Sequence, residues 1–391
     1  MVNKILKKKT FANIEIINKE YELLSNANVK KINKVINQKY LTTEQYNYID
    51  KRNILLIQSG LGTGKTFNTF KWCIENNFKI LSIVHLTSLH DNQLSNYNNM
   101  VIKYNSENNK NISNMLSYQN IQSYKTNSIC STINSLVKTL NYIDVSEYYI
   151  YIDEIHRIIS YLLHSSTLNS KRREAVKALQ KSLKTCKGVI GTDGDICDIT
   201  IQFLEDVGLN IYFIKNDYKS FNNVPVKFYN NHKVIKKLIQ NYVVDKKTFT
   251  LCCNTKKEAD EINDFIKSLG VETKNIKLYT SHSGDIVADV NDEWENNYVI
   301  YSPSIVEGVD RTATNPETVF VLISSEKTID PEQVKQQICR NRNIKEVHIG
   351  FNKMMNILDY NTLEDLKYNL TENIEAFNNN LKNFFRCKNK Y

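Results

Sequence analysis

Short apolar runs rich in Ile, Val and Tyr recur along the chain between longer amphipathic stretches. Runs of this length and composition are typical of buried strands, and the stretches between them favour helices. An alternation of buried strands and helices predicts an α/β architecture with parallel sheets. The runs that predict strands are Ile54–Gln58, Ile80–His85, Tyr148–Ile152, Val189–Gly191, Phe249–Cys253, Tyr298–Tyr301 and Thr318–Ile323.

These runs fall into two groups, which are separated near residues 215–230. The segment DYKSFNNVPVKF between them carries turn-forming residues and one of only four prolines, which favours a domain boundary. We therefore expect a first α/β domain in residues 40–222 and a second in residues 223–350. Residues 1–39 form an N-terminal extension, and residues 351–391 form a tail whose apolar positions have helical spacing.

Charge is distributed unevenly along the 391 residues, whose formal net charge is +9. Residues 1–52 hold 11 Lys and Arg against 5 Asp and Glu, and a second basic cluster runs from Lys171 to Lys187. Such clusters attract phosphate backbones, although a basic cluster is more often only a solvated surface. We expect the basic N-terminal extension to act as an accessory grip or a partner arm.

Composition excludes several classes of protein. With 41% apolar and 24% charged residues, the chain is neither a fibre nor wholly disordered. The eight cysteines are scattered without zinc spacing, which indicates reduced thiols in an intracellular compartment. No apolar run follows the basic N-terminus, and nowhere do 18 consecutive apolar residues occur, so we expect a soluble protein with no signal peptide and no membrane contact.

A glycine-rich segment follows the first apolar run and precedes a helix-compatible stretch. Between a strand and a helix, such a turn lets backbone N–H groups surround phosphate oxygens, with the positive end of the helix behind them. Lys65 would reach the β- and γ-phosphates of ATP, and Thr66 would offer its hydroxyl to Mg²⁺. Ser59 stands where the strict pattern has glycine, and a small residue suits a tight turn. The residues expected to bind nucleotide are Gly60, Gly62, Thr63, Gly64, Lys65 and Thr66.

An acidic pair follows the run Tyr148–Ile152, in the sequence DEIH. Asp153 is expected to hold Mg²⁺ through water, and Glu154 is expected to act as the base that polarises the hydrolytic water. His156 is placed to sense the γ-phosphate or to link with a neighbouring motif. The tetrapeptide alone is a weak signal, but behind a strand and downstream of a phosphate-binding loop it is a strong one.

The phosphate-binding loop and the DEIH sequence together resemble the superfamily 2 helicases and translocases. This resemblance implies two tandem RecA-like domains, with the ATP-binding domain in residues 40–222 and the helicase C-terminal domain in residues 223–350. Gln45 matches loosely the glutamine with which many members contact adenine, and the alternative is an ordinary surface residue.

Three further segments of the first domain are similar to motifs of that family. HLTSL and ICSTINSL resemble the motifs that contact nucleic acid, which assigns that role to Thr87, Ser131 and Thr132. The segment GTDGD occupies the place of the motif that couples nucleotide and nucleic acid, with Thr192 and Asp193 in the matching positions and His156 as their partner. Asp195 replaces the last hydroxyl of that motif.

The second domain contains three segments with the same kind of resemblance. FTLCCNTK resembles the motif that opens this domain, and IYSPSIVEGVD resembles motif V. The resemblance implies nucleotide contacts by Gly308 and Asp310. It implies nucleic-acid contacts by Asn254, Thr255, Ser302 and Ser304.

QVKQQICRNR resembles motif VI of the same family. Arg340 matches the first arginine, which reaches the γ-phosphate across the cleft between the domains. Arg342 is displaced by one residue from the usual second arginine, because Asn343 stands at that point. Arginine suits this role because its planar guanidinium stays charged and pairs with two phosphate oxygens at once.

Within the superfamily, residues 40–345 look most like the viral replication-origin-binding helicases. The resemblance implies an ATP- and Mg²⁺-dependent helicase or translocase on nucleic acid, with single-stranded DNA favoured over RNA. It also implies viral or plasmid replication, other replication proteins as partners, and the cytoplasm or a viral replication site as the compartment. The residues after motif VI are too few for a separate DNA-binding domain, so origin recognition would come from elsewhere or be absent.

Two other functions stay open. A P-loop enzyme such as a small-molecule kinase would need a lid and an acceptor site, and nucleic acid would not stimulate its ATP turnover. An ATP-gated clamp or recruitment factor would bind nucleic acid and hydrolyse ATP but would not separate a duplex.

Overall fold

Two parallel β-sheets with interleaved helices form the described part of the chain in the computed structural model. The structure describes residues 32–49, 53–123, 127–165, 167–168, 171–280, 290–302, 311–312, 315–324 and 331–351. Most of the basic extension and all but the first residue of the tail expected to be helical therefore lie outside the described residues. The predicted α/β class with two parallel sheets is confirmed.

The first sheet contains eight strands, β1 (Lys34–Ile36), β2 (Asn53–Ser59), β3 (Ile80–Val84), β4 (Leu116–Ser117), β5 (Ile129–Thr132), β6 (Tyr149–Asp153), β7 (Gly188–Asp193) and β8 (Asn210–Asn216). Their order is β1-β8-β2-β7-β6-β3-β5-β4, and every neighbouring pair is parallel. The carboxyl ends of parallel strands meet at one edge, so the loops that follow β2, β6 and β7 lie side by side. The edge strand β1 begins before residue 40, where we expected the first domain to start.

The helices of this part are α1 (Lys65–Glu75), α2 (Thr87–Asn108), α3 (Leu136–Thr139), α4 (Ile155–His164), α5 (Arg172–Thr185) and α6 (Asp198–Val207). Short 3-10 helices lie at Thr43–Tyr48, Tyr118–Ser123, Ile133–Ser135 and Val145–Glu147. None of the described helices, here or in the second sheet, is long and apolar enough to cross a membrane.

The second sheet contains six strands, β9 (Val226–Tyr229), β10 (Thr250–Cys253), β11 (Ile276–Tyr279), β12 (Tyr298–Tyr301), β13 (Glu317–Ile323) and β14 (Ile344–Phe351). Their order is β11-β12-β10-β13-β14-β9, again with parallel neighbours. Its helices are α7 (His232–Val244), α8 (Lys256–Ser268), α9 (Val290–Trp294) and α10 (Pro331–Ile338), with a 3-10 helix at Thr273–Asn275. The chain leaves the first sheet after β8 and enters the second at β9, within the segment predicted to separate two domains.

Helices cover the sheets, and the central strands are accordingly buried on both faces. Every residue of β3 and β10 is buried, which explains why these strands appear in the sequence as runs in which Ser82 and Thr250 are the only polar residues. Aromatic rings fill both cores. Tyr46 stacks on Trp72 with ring centroids 5.5 Å apart, and Phe249 meets Phe320 edge to face at 5.2 Å.

Gly350 on β14 lies directly against α7, so a substitution at this position measures how tightly the helix packs on the strand. A Cβ at this position would lie 2.4 Å from Cγ1 of the buried Ile235, so Gly350→Ala is expected to lower the free energy of unfolding by about 1–3 kcal/mol through overpacking. The matched control is Gly194→Ala, because apart from Gly194 and its two chain neighbours no residue comes within 4 Å of a Cβ placed there. Urea unfolding of both variants checks the prediction, and equal stabilities would show that α7 can move away from the sheet without cost.

Candidate nucleotide-binding site

The glycine-rich segment forms a turn between β2 and α1, as predicted. Gly62 and Gly64 have φ values of +74° and +77°, a region in which a side chain would be strained. A Cβ on Gly64 would also lie 2.9 Å from Nδ2 of Asn68. The loop therefore needs glycine at these two positions, and its backbone N–H groups precede the N-terminus of an eleven-residue helix. Such a helix end favours bound anions.

Ser59 departs from the strict loop pattern, and the structure supplies the reason. Its hydroxyl donates to Oγ1 of Thr63 at 2.7 Å and accepts from Nδ2 of Asn216 at 3.0 Å. The Thr63 hydroxyl in turn donates to the carbonyl of Gly60 at 2.8 Å. Ser59 thus closes the base of the loop with hydrogen bonds that a glycine lacks.

Lys65 is largely buried, and its ammonium group lies over the loop. Nζ donates to the carbonyl oxygens of Ser59 at 2.8 Å and of Gly60 at 3.1 Å. Both acceptors belong to the phosphate-binding loop itself, so a positive charge is held where phosphate oxygens are expected.

Asp153 lies at the end of β6, where three side chains donate to its carboxylate. Oδ2 accepts from Oγ1 of Thr66 at 2.7 Å and from Nε2 of Gln93 at 3.0 Å, and Oδ1 accepts from Oγ1 of Thr192 at 2.9 Å. Hydroxyl and carboxylate oxygens are hard ligands of the kind that Mg²⁺ takes. The oxygens of Thr66 and Asp153 therefore suit a magnesium ion or its water ligands.

Sequence analysis missed Gln93 and Tyr151, which organise this cluster. The buried Tyr151 hydroxyl lies 3.2 Å from the hydroxyl oxygens of both Thr66 and Thr192. Tyr151 and Asp153 are two residues apart on one strand, so the period of a strand places them on the same face. That spacing was a usable signal for Tyr151, whereas Gln93 lies on α2 and carries no motif.

Glu154 has a backbone conformation that non-glycine residues rarely adopt, with φ +50°. Such strain costs about 1–3 kcal/mol and persists only where surrounding contacts enforce it. The pKa of its half-buried carboxyl lies well above the ordinary value. Burial is the main cause and the nearby carboxylate of Asp193 adds to it, while the ammonium of Lys65 acts in the opposite direction. A carboxylate with raised proton affinity suits a general base.

The coupling candidates meet at the carboxyl ends of β6 and β7. Asp193 accepts from the backbone N–H of His156 at 2.8 Å, and burial raises the pKa of its carboxyl. Nδ1 of His156 lies 3.2 Å from Sγ of Cys197 and 3.3 Å from Oγ1 of Thr200, two residues that sequence analysis missed. The hydrogen bond with Cys197 is the main reason why the pKa of His156 is raised. No motif marked Cys197 or Thr200, since they belong to the start of α6.

Gln45 is buried with 3% of its surface exposed, so the alternative of an ordinary surface residue is wrong. Its Oε1 accepts from the backbone N–H of Thr42 at 2.7 Å, and its Nε2 donates to Oε1 of Gln38 at 3.3 Å. The same segment is tied to the phosphate-binding loop because the N–H of Leu41 donates to the carbonyl of Thr63 at 2.9 Å. A contact with adenine stays a prediction.

The residues expected to contact nucleic acid in the first sheet differ in their exposure. Thr87 is exposed at the start of α2. Ser131 is fully buried, with its hydroxyl 2.8 Å from Oγ1 of Thr139, so this hydroxyl faces the core and a phosphate contact would require the packing to open. Thr132 is also largely buried, while Asn134 in the same segment is exposed.

In the second sheet, Thr255 begins α8 as its N-terminal cap. Its hydroxyl accepts from the N–H of Glu258 at 3.2 Å, and the Glu258 carboxylate accepts from the backbone N–H groups of Thr255 and Asn254. Ser302 is almost fully buried at the end of β12. Ser304, Gly308 and Asp310 lie outside the described residues.

Two contacts join the segment that contains α10 to the loops of the first sheet. A Cβ placed on Gly62 would lie 3.3 Å from Nη1 of Arg342, so this guanidinium lies against the phosphate-binding loop. Nζ of Lys335 on α10 lies 3.1 Å from Oδ2 of Asp195, the acid that replaces a hydroxyl in the coupling motif. Arg340 is half-buried beyond the end of α10.

This chain is similar in sequence to one protein family and to a phage protein. Residues 9–187 match the family described as type III restriction enzyme, res subunit. A protein of Escherichia phage T5, described as a candidate replication origin binding protein, is 24% identical over 330 residues. That alignment covers 78% of this chain and 32% of the phage protein, so the chain spans about a third of its relative.

Solved structures of helicases share the fold. The Mycobacterium smegmatis helicase Lhr bound to single-stranded DNA and AMP-PNP matches with a TM-score of 0.56 at 12% identity, over 80% of this chain and 46% of Lhr. S. cerevisiae Dbp5 bound to RNA and ADP BeF3 matches with a TM-score of 0.55 at 14% identity, over 83% of each chain. The chain therefore shares with these structures a fold of two tandem RecA-like domains.

Proposed function

We propose that this chain is an ATP-dependent helicase or translocase that acts on nucleic acid, with DNA as its track. The observation that carries the proposal is the convergence on one loop of Lys65, the pair Thr66 and Asp153, and Arg342. The similarity to a phage protein that is described as a candidate replication origin binding protein favours DNA as the track and a role in replication.

ATP would bind with its phosphates on the loop between β2 and α1. Lys65 would transfer its hydrogen bonds from the loop carbonyls to phosphate oxygens, and Arg342 would bring a second positive charge from the other side. Thr66 and Asp153 would hold Mg²⁺, which would neutralise part of the phosphate charge when bound. Glu154 would orient the attacking water and take its proton.

Hydrolysis would be linked to movement through the residues beside the phosphates. Thr192 contacts Asp153, Asp193 contacts the backbone of His156, and Asp195 contacts Lys335. These contacts connect the nucleotide site to the second sheet, so the loss of the γ-phosphate would alter the contact between Asp195 and Lys335. Opening and closing of this contact would supply the step along the track.

Grip on the track would come from polar groups near the carboxyl ends of the strands and from a basic surface on α5. Arg173, Lys177 and Lys181 are exposed at helical spacing, and α5 packs against the Ile133–Ser135 segment that contains the exposed Asn134. Phosphate contacts of this kind are insensitive to sequence and weaken as salt rises. The further residues proposed to contact nucleic acid are Thr87, Ser131, Thr132, Asn254, Thr255, Ser302 and Ser304.

The test is the rate of ATP hydrolysis with single-stranded DNA, duplex DNA and RNA of matched length, each at two salt concentrations. We expect single-stranded DNA to stimulate the rate most, with a stimulation that falls at the higher salt concentration. Equal rates with and without every nucleic acid would contradict the proposal and favour a small-molecule kinase. RNA as the best activator would contradict the choice of DNA.

Separation of a fluorescent duplex with a single-stranded tail distinguishes a helicase from an ATP-gated clamp. We expect strand separation that requires ATP. Stimulated hydrolysis without strand separation would favour a translocase or a clamp, and movement past a labelled end of the strand would then identify the translocase.

A further inference from the structure

The segment that carries Arg340 and Arg342 is not helical, and Arg311 holds its backbone. The N–H of Arg311 donates to the carbonyl of Arg340 at 2.9 Å, and the N–H of Arg342 donates to the carbonyl of Arg311 at 2.8 Å. Arg311 and Asn341 thus form a parallel bridge just beyond the end of α10. Two hydrogen bonds fix the backbone on both sides of Asn341.

The Arg311 side chain is buried and pairs with Glu317 of the second sheet. Only 2% of its surface is exposed, and it forms a two-pronged ion pair with Glu317, in which Nη1 donates to Oε2 at 2.6 Å. The guanidinium also lies 5.8 Å from the ring centroid of Trp294. Burial raises the pKa of the Glu317 carboxyl, and the positive charge of Arg311 acts against that rise. The charged carboxylate therefore depends on its arginine partner.

Asn341 is joined to the same ion pair. Its Nδ2 donates to Oε2 of Glu317 at 2.9 Å, and Thr250 on β10 donates to the same oxygen at 3.2 Å. Asn341 is fully buried, so its side chain faces into the sheet. The next residue, Arg342, has its guanidinium against Gly62 of the phosphate-binding loop, so the two neighbouring side chains have different surroundings.

This arrangement accounts for the displaced arginine of motif VI. On a helix, residues three or four apart share a face, whereas on extended backbone residues two apart share a side. Because α10 ends at Ile338 and a turn at residues 339–340 leads into the bridge at Asn341, the helical rule does not apply to the two arginines. The guanidinium of Arg342 does lie against Gly62 of the phosphate-binding loop.

We infer that Arg311, held by Glu317, is a positioning residue that sets the backbone of residues 340–342 and thereby directs the Arg342 guanidinium onto the phosphate-binding loop. The catalytic consequence rests on the function proposed above. Among the residues that the structure describes, the Arg311 side chain contacts Glu317 and Trp294, and neither belongs to the nucleotide-binding loop. Its effect on hydrolysis therefore passes through Arg342.

The first test compares Arg311→Met, Arg342→Ala and the double variant. We expect each single variant to lower kcat of the stimulated ATPase by at least about tenfold, as loss of a transition-state contact does. The affinity for a fluorescent non-hydrolysable ATP analogue is expected to change much less. The double variant should be no slower than Arg342→Ala alone, because both changes remove the same contact. Losses that multiply in the double variant, or an unchanged kcat in Arg311→Met, would overturn the inference.

A stability control separates positioning from general damage. Ile239→Val removes one methylene group from the core of the same sheet and leaves the Arg311 network intact. We expect it to lower the melting temperature without a change in kcat at the assay temperature. If Arg311→Met does not fold, Glu317→Gln is the second variant. It keeps the size of the side chain at position 317 but removes the negative charge that pairs with Arg311, and it should show the same fall in kcat.

Amide hydrogen exchange supplies a readout that does not depend on turnover. The N–H of Arg342 donates to Arg311, so exchange in a peptide that contains residue 342 should be faster in Arg311→Met and unchanged in Ile239→Val. Unchanged exchange in Arg311→Met would overturn the inference on its own. Failure of the proposed function would appear differently, as absence of stimulated hydrolysis in the wild-type chain.

Discussion

Glu154→Gln is expected to lower nucleic-acid-stimulated ATP turnover by a factor of about 10²–10⁴, which is the usual contribution of a general base. Glutamine keeps the size of the side chain and the left-handed backbone of this position but cannot take a proton. The affinity for ATP should stay close to that of the wild-type chain, because the predicted phosphate contacts belong to the loop and to Lys65. Single-turnover hydrolysis and equilibrium binding, measured on the same preparation, check both parts.

Glu147→Gln is the matched control for this prediction. Glu147 precedes the other end of β6, where it is exposed and pairs with Lys79 on the surface. Surface ion pairs contribute little to stability, so this variant should hydrolyse ATP at the wild-type rate. Wild-type turnover in Glu154→Gln would show that another group takes the proton.

Lys65→Ala is expected to weaken ATP binding and to abolish measurable turnover. A charge-assisted hydrogen bond to phosphate contributes about 1.5–3 kcal/mol, which corresponds to a loss of affinity of about 10- to 150-fold. The loop should keep its shape because the backbone conformations of Gly62 and Gly64 and the hydrogen bonds of the Ser59 hydroxyl do not involve the ammonium group. Titration with a fluorescent ATP analogue measures the affinity.

Lys71→Ala serves as its control on the same helix. Lys71 is exposed on α1 and lies 3.7 Å from Glu75 in an i,i+4 pair, so its loss should cost only about 0.3–0.5 kcal/mol of stability. Nucleotide affinity should not change in this variant. Equal affinities in Lys65→Ala and the wild-type chain would place the phosphates away from the glycine-rich loop.

The sequence allowed prediction of the elements whose signal is local. Buried central strands such as β3 and β10 are short, mostly apolar runs, and they were predicted within one or two residues. Edge strands lack that signal. The edge strand β9 has three exposed residues of four, and the inner strand β14 carries Lys345 and Glu346 after its first residue, so neither pattern distinguishes a strand from a loop. β1 is only three residues long and lies in a basic segment.

The residues of the candidate site also divide into those that a local motif predicts and those that it does not. Lys65, Thr66, Asp153 and Glu154 lie in contiguous motifs, and the structure brings the first three together. Gln93 and Arg311 could not be found, because Gln93 contacts Asp153 and Arg311 contacts the backbone of Arg340 and Arg342, all of which are distant from them in sequence. Ser131 is the opposite case, since it lies in a motif-like segment but its hydroxyl is buried in the core, and its contact with nucleic acid stays a prediction.

Phosphate release by the wild-type chain, measured at saturating Mg²⁺ and ATP while single-stranded DNA is added, tests the central claim most directly. We predict a rate that rises with DNA concentration to a plateau and that is lower by a factor of at least about 10² in Glu154→Gln at every concentration. A rate that stays constant as DNA is added, or that is the same in both proteins, would contradict the account of a nucleic-acid-dependent ATPase centred on this loop.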